Sequence, residues 1–324
     1  LLPSDPSVLF TTAGMQQFKE YFLGKSSPFS ANVATSQKCF RTSDIDEVGD
    51  DTHLTFLEML GNFSFASSAK ASGEGGASHF KKEAIQLAHE FLFEELKIPK
   101  EEAIFTVFEG DEKGLLDGES IEIWQSLGTP ADRIKKCGRA DNFWGPTGLE
   151  GPCGPTTEIH IKGVEVWNLV FNEYYQDQKG NLTPLKQKGP ARRSLSGGGV
   201  DTGMGLERLA MIIQGKKNVY ETDLFLPIIE AIRHRARKQD KKAERIIADH
   251  IRAAVFLLAD GIEPSNKDRG YVLRRLLRRA TVYAELIGLS EHGELDFIAV
   301  KVRELYLNVY PELLMEWEKR IRAP

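Results

Sequence analysis

Residues 200–210, VDTGMGLERLA, constrain the fold more tightly than any other stretch of this chain. A short strand-like run leads directly into an amphipathic one, the pattern of a strand that feeds a helix with no loop between them. Gly203 and Gly205 carry no Cβ, so the backbone there can approach a ligand closely. Asp201 stands at the mouth of this turn, and Arg208 projects from the first helical turn. Leu206, Leu209, Ala210 and Ile213 are expected to form the buried stripe of the helix. A glycine pair before a helix is more often a tight turn than a site, so partner chemistry must come from elsewhere.

Residues 39–65, CFRTSDIDEVGDDTHLTFLEMLGNFSF, supply it and read as strand, polar loop, strand. Arg41 closes the first strand, and Asp44, Asp46, Glu47, Asp50 and Asp51 surround Gly49 in the loop, a turn composition. The run from His53 to Phe65 is again apolar and aromatic. Alone, Arg41 would be an ordinary surface cation and His53 a polar residue at a strand start.

A chain of 324 residues with 41% apolar and 27% charged residues can build about two domains. No apolar run approaches the roughly 20 residues of a membrane span, and no cationic leader opens the chain, so no membrane role is expected. It starts at Leu1 without an initiator Met. Cys39, Cys137 and Cys153 have spacings that suit neither a disulfide framework nor a zinc site, which fits a cytoplasmic setting. The net charge of −5 argues against non-specific nucleic-acid binding, but the charge is patterned. Arg269, Arg274, Arg275, Arg278 and Arg279 crowd one segment, with 274/278 and 275/279 forming i,i+4 columns on a helix. Leu273, Leu276, Leu277 and Ala280 take another face, and the columns read equally as a solvated face offset by Asp and Glu elsewhere or as a surface for an external anion such as a phosphate backbone.

Along the chain, residues 80–97 read as a helix with Ala84, Leu87, Ala88, Phe91 and Leu92 on one side. Short strands and helices alternate over 103–210. Helices dominate from Asp223, and the strongly apolar 244–258 must be buried. The expected division is 1–235 and 236–324. Residues 66–78 and 188–199 are Gly/Ser/Ala-rich loops without an assigned role, including Arg192 and Arg193. No phosphate-binding GxxxxGKS or GxGxxG follows a strand.

The two segments together resemble motifs 2 and 3 of the class II aminoacyl-tRNA synthetases. FLEMLGNFSF, DNFW, GPCGPTTEI, VWNLVF, VDTGMGLERLA and RIIADHIRAAVFLLADGIEPSNKDRGYVLRRLLRRA follow, in order, the wording of the alanyl-tRNA synthetases over nearly the whole chain. The resemblance implies an α+β fold: an antiparallel sheet flanked by helices as catalytic domain, then an all-helical domain for the tRNA acceptor stem. It implies activation of L-alanine by ATP to alanyl-adenylate and pyrophosphate, then transfer to the 3′ end of tRNA(Ala). In that family the phrase 1–24 follows a short amphipathic helix, so the resemblance also implies that an N-terminal piece is missing.

In that chemistry a carboxylate attacks the α-phosphorus, so cations must offset charge shared in the transition state. The resemblance assigns Arg41 to the α-phosphate and the substrate carboxylate, for which a planar guanidinium suits two oxygens at once. It assigns Arg208 to the adenine or terminal phosphate, with Gly205 beside it. Phe56 is expected to stack on the adenine, with Leu57 the alternative one residue on. His53 is a candidate phosphate contact. Mg²⁺ is expected with ATP, Glu158 being the candidate metal or water-shell ligand. For alanine, Asp201 would hold the ammonium, with Trp144, Val166, Trp167 and Asn168 as walls and contact and Gly203 allowing close approach. Asn266, Arg269, Arg274, Arg275 and Arg278 are the expected tRNA contacts.

Such a pocket cannot strongly reject glycine or serine. The family's editing domain, with its HxxxH and CxxxH metal pattern, has no counterpart among these residues. Either the chain is a fragment or another polypeptide edits. The loop 42–52 is short and acidic, lacks the family's basic KHND-like element, and has Thr52 where Arg is common. That departure leaves open a paralogue that binds tRNA or protein without activating an amino acid. A third reading, alanine activation for another carrier, is opposed by the arginine segment.

Overall fold

The computed structural model describes residues 1–3, 8–28, 30, 32–65, 77–185, 198–289 and 293–314. Most of the two Gly/Ser/Ala-rich loops, with Arg192 and Arg193, lies outside the described residues. The strands are β1 (Asn32–Phe40), β2 (Phe56–Phe65), β3 (Ala103–Phe108), β4 (Ile134–Cys137), β5 (Phe143–Trp144), β6 (Gly151–Ile161), β7 (Val164–Asn172), β8 (Tyr174–Gln176), β9 (Leu182–Pro184) and β10 (Gly199–Gly205). The helices are α1 (Lys19–Phe22), α2 (Ala77–His89), α3 (Gly118–Ser126), α4 (Arg139–Asn142), α5 (Leu206–Ile213), α6 (Leu226–Arg235), α7 (Lys241–Ala259), α8 (Asp268–Leu286) and α9 (Glu294–Tyr306).

The main sheet runs β1-β2-β10-β7-β6-β3-β4, with β5 and β8 attached to β6 and β9 to β8. All of its pairings are antiparallel except β3 with β4. Lys162 and Gly163, both at positive φ, turn β6 into β7, the backbone a two-residue hairpin demands. The expected α+β architecture, a mostly antiparallel sheet flanked by helices and followed by a helical region, is what the chain forms.

Phe105, Trp124, Leu169, Ala88 and Leu92 build the core between the sheet and α2 and α3. A second core runs without interruption from Phe40 and Phe56 through α6, α7, α8 and α9. Residues 244–258 lie in α7, buried along most of their length, and Asp240 caps this helix by accepting from the Ala243 N–H at 2.9 Å.

Two apolar faces differ from expectation. The 80–97 helix continues past α2 as a π-helical turn, Glu90–Glu95, and Leu87 is 50% exposed while Ala84, Ala88 and Leu92 are buried. In α5 the buried side chains are Glu207, Leu209 and Met211, and Ile213 is 52% exposed because the helix ends there. An eight-residue helix has room for one buried turn, and Glu207 occupies part of it for a reason given below.

Candidate active site

Arg41 is the first residue past β1. Its N–H donates to the Thr55 carbonyl at 2.9 Å, closing the mouth of the β1–β2 ribbon where Phe40 faces Phe56. Its side chain donates from Nε to the Thr12 carbonyl at 3.4 Å and meets no carboxylate partner among the described residues. Arg208, in the first turn of α5, donates from Nη1 to the Glu165 carbonyl at 3.0 Å and pairs with its carboxylate at 3.2 Å.

Strand β10 lies between β2 and β7, with Asp201 opposite Val170 and Gly203 opposite Asn168. Side chains two apart on a strand share a face, so Asp201 and Gly203 open onto the same side as Val170, Asn168 and Val166. A Cβ at Gly203 would stand 2.9 Å from Met59 Sδ, so this glycine also makes room for a β2 side chain. Trp144 reaches the same side from β5, which pairs with Gly154 of β6. The buried Asn142 fixes that short strand by donating to Thr106 Oγ1 at 2.9 Å and the Thr156 carbonyl at 3.2 Å.

One cavity of about 570 Å³ results, and Arg41, Arg208 and Asp201 all line it. Trp144, Glu158, Val166, Asn168, Gly203 and Gly205 line it as well. Asp201 is 5% exposed, and burial, with no hydrogen bond or ion pair among the described residues to offset it, pushes its carboxyl up to about 8. Asn168 donates Nδ2 to Glu158 Oε1 at 3.0 Å, which orients the amide and leaves its buried Oδ1 without a partner. The cavity therefore offers two unmet acceptors and two guanidinium groups, a pattern for a ligand with one cationic and several anionic groups.

A family model, tRNA synthetases class II (A), matches residues 1–322. The chain belongs to that family. Among curated relatives, the alanine–tRNA ligase of Rubrobacter xylanophilus is 45% identical over 87% of this chain and 33% of its own length. That of Dehalococcoides mccartyi is 42% identical over 97% of this chain and 36% of its own. That of Borrelia garinii subsp. bavariensis is 42% identical over 96% of this chain and 53% of its own. This class II chain thus spans a third to about half the length of these relatives.

Three expected site residues fall elsewhere. Phe56 is fully buried, stacked on Phe256 with centroids 4.1 Å apart and planes at 9°, so it is unavailable to an adenine. Strand alternation puts Leu57, the alternative one residue on, and Met59 on the cavity face instead. His53 does not line the cavity; Asp50 accepts from its backbone N–H at 2.8 Å and meets its Nδ1 at 2.5 Å, tying it into the acidic loop. Trp167 is 7% exposed and turned edge-on to Phe91, on the opposite face from its neighbours Val166 and Asn168. Conversely, Glu165 and Glu207 line the cavity and were not foreseen. Residue type alone could not have found them, since both depend on pairing with distant arginines, Arg208 and Arg252.

On α8 the arginine columns exist, but they are partly neutralised from within. Arg275 donates to both oxygens of Asp46 at 2.8 and 2.9 Å, and Arg279 reaches Asp46 at 3.4 Å and the Ile45 carbonyl at 3.2 Å. Arg274 is bonded to Asn266 Oδ1, and Arg269 to the Leu9 carbonyl at 2.6 Å. One carboxylate of the acidic loop, Asp46, thus supplies Arg275 and Arg279 with part of the compensation expected of an external anion. Asn266, Arg274, Arg275 and Arg278 nonetheless line one open groove with Tyr271, and Arg279 reaches its edge, while Arg269 lies outside it.

The raised carboxyl of Asp201 has a stability consequence. Its pKa is higher folded than the roughly 3.9 of an unfolded chain, so its contribution is complete below that value and is lost as pH rises through about 8. The Asp201→Asn variant should therefore gain thermal stability relative to the parent as pH is raised from 5 to 8. Melting curves at several pH values measure the difference, and a constant offset would show that the native carboxyl ionises normally.

Proposed function

We propose that this chain is the aminoacylation part of an alanine–tRNA ligase, with residues 1–235 as catalytic domain and 236–324 as acceptor-stem recognition domain. It would activate L-alanine with ATP to alanyl-adenylate and pass the alanyl group to tRNA(Ala). The observation that carries this reading is the convergence on one cavity of Arg41, Arg208 and an Asp201 that has no partner among the described residues.

The roles follow from the donors present. An ammonium brings three donors, and Asp201 and Asn168 Oδ1 are acceptors with nothing to accept. Among the described residues neither terminal nitrogen of Arg41 has a partner, which suits them to the substrate carboxylate and the α-phosphate it attacks, so that one planar cation would hold two anions together. Arg208 is already half neutralised by Glu165, which suits a contact to the adenine face or the terminal phosphate. Leu57 and Met59 offer an apolar surface to the base. Trp144 and Val166 limit the space beside the ammonium and so exclude bulky side chains.

Magnesium would enter on the nucleotide's own phosphates. Among the described residues no cluster of three His, Cys, Asp or Glu side chains could cage a metal. Glu158 lines the cavity, but Asn168, Thr106 and His160 already engage its oxygens, so it fits a water-mediated contact at most. The metal would supply charge neutralisation on the leaving pyrophosphate. Arg274, Arg275, Arg278 and Asn266 form the surface proposed for the acceptor stem, and Arg269 is left with a smaller part. Editing of mischarged glycine or serine is assigned to a further domain or a separate polypeptide. Cytoplasmic location belongs to the same proposal; among the described residues no helix is long and apolar enough to cross a membrane.

Alanine-dependent ATP–pyrophosphate exchange by the purified chain is the direct test. Exchange with alanine, exceeding that with glycine and serine, is the expected result. Exchange only with another amino acid would overturn the specificity, and none at all would overturn the activity.

A further inference from the structure

The buried polar residues of α7 lead from the arginine helix to the Arg41 hinge. Arg279 of α8 is the start. It donates from Nε to His250 Nε2 at 3.1 Å, so that nitrogen is the acceptor and the ring hydrogen sits on Nδ1. Nδ1 then donates to Asp249 Oδ2 at 2.8 Å. Asp249 also accepts from the Thr55 N–H at 2.9 Å and its hydroxyl at 2.6 Å. Thr55 in turn accepts the Arg41 N–H at 2.9 Å. His250, Asp249 and Thr55 are each exposed by 1% or less, so the middle of this chain of bonds is shielded from bulk solvent.

The guanidinium has a second arm. Its terminal nitrogens hold the Ile45 carbonyl and the Asp46 carboxylate, in the turn that begins two residues after Arg41. One side chain on the proposed acceptor-stem helix therefore grips both flanks of Arg41. The buried arm sets the backbone bond on which Arg41 pivots, and the outer arm sets the chain leaving it.

We propose that Arg279 is a positioning residue for the activation step, acting on Arg41 through His250, Asp249 and Thr55 rather than by binding tRNA phosphate. This deepens, and rests on, the alanine-activating reading above. A buried carboxylate needs a full set of donors, and Arg279 secures one of Asp249's indirectly: by donating to His250 Nε2 it holds the ring hydrogen on Nδ1, where it faces the carboxylate. Arg279 is also the cation nearest to Asp249 along the chain of bonds, one imidazole away. Without it, Thr55 would lose its fixed anchor, and Arg41 would sample orientations away from the bridge between carboxylate and phosphate. A misplacement of that size costs chemistry more than binding.

Arg279→Gln and Arg279→Lys in the whole chain test this, with Glu285→Gln, an exposed change on the same helix, as the control. Two readouts are taken: peptide-resolved amide hydrogen exchange over 41–55, and alanine-dependent pyrophosphate exchange. Both Arg279 variants are expected to speed amide exchange in that segment by tenfold or more and to lower kcat about tenfold. The alanine KM should stay within twofold and the melting temperature near that of the parent, while Glu285→Gln matches the parent throughout. Lysine keeps the charge but cannot satisfy His250, Ile45 and Asp46 together, so full recovery by lysine would overturn the proposal in favour of a simple charge effect. Unchanged amide protection in Arg279→Gln would overturn it outright. If the parent itself shows no pyrophosphate exchange, the activity reading falls, and lost amide protection would then retain the Arg279–Arg41 linkage alone.

Discussion

The Asp201→Asn variant is expected to lose alanine-dependent pyrophosphate exchange by about 10²- to 10³-fold in kcat/KM, the cost of truncating one partner of a buried charged pair. The substitution keeps the size and shape of the side chain, so the walls formed by Trp144 and Val166 stay in place. What it removes is a buried carboxylate that, unlike Glu158, Glu165 and Glu207, has no hydrogen bond or ion pair among the described residues and so is open to an ammonium. Folding should not suffer, because the parent carboxyl has no partner among the described residues to lose. Activity and stability should thus move in opposite directions at pH 8, where the parent bears the full cost of burying a charge. Binding adds its own pH signature. At pH 7 roughly a tenth of a carboxyl titrating near 8 is ionised, so the alanine KM of the parent should fall as pH rises from 6 to 8. Steady-state exchange at saturating ATP measures both effects. A loss smaller than tenfold, or an alanine KM independent of pH, would place the ammonium elsewhere in the cavity.

Most of this site was legible in the chain because two of its parts are local. A glycine-spaced strand running into a helix fixes Asp201, Gly203 and Arg208 relative to one another whatever surrounds them. A hairpin with an acidic turn fixes Arg41. Errors arose where a residue's role depends on which sheet face meets another layer. Phe56 and Leu57 are equally apolar neighbours, and only the arrival of Phe256 from α7 shows that Phe56 faces the core. Trp167 was misplaced for the same reason, by one step of a period of two. Leu87 and Ile213 show the corresponding limit for helices, since the apolar arc of a short helix is wider than the face it buries. The arginines of α8 illustrate a different limit. Their spacing announced a cationic surface, but nothing in it announced that Asp46, more than 200 positions away, would occupy part of that surface.

Arg252→Ala is expected to destabilise the chain more than any surface change, by about 3–5 kcal/mol, the cost of leaving a buried charge without its partner. Arg252 is fully buried, with its guanidinium over Phe56 at 4.7 Å and Phe225 at 4.6 Å. It donates to Glu207 Oε1 and, at 3.3 Å, to the Phe56 carbonyl. Glu207 also accepts the Glu58 N–H at 3.2 Å, and Tyr310, beyond α9, donates its hydroxyl to Glu58. This is why Glu207 takes a buried position on α5 that a leucine would otherwise fill: the residue beside Arg208 ties the start of that helix to β2 and to the helical region. Burial raises the pKa of Glu207 and Arg252 opposes that rise, so removing Arg252 lifts it further. A carboxyl with a raised folded pKa loses its stabilising contribution as pH climbs. The variant should therefore approach the parent in acid and fall away from it toward neutrality, by on the order of 10 °C in melting temperature for a chain of this size. Arg252→Met combined with Glu207→Gln, which removes both charges, should recover most of the loss, since a buried pair replaced as a unit costs far less than one that is broken. Equal losses in the single and double variants would mean that Arg252 acts through its packing against Phe56, Phe225 and, at 5.2 Å, Tyr306, and not through Glu207.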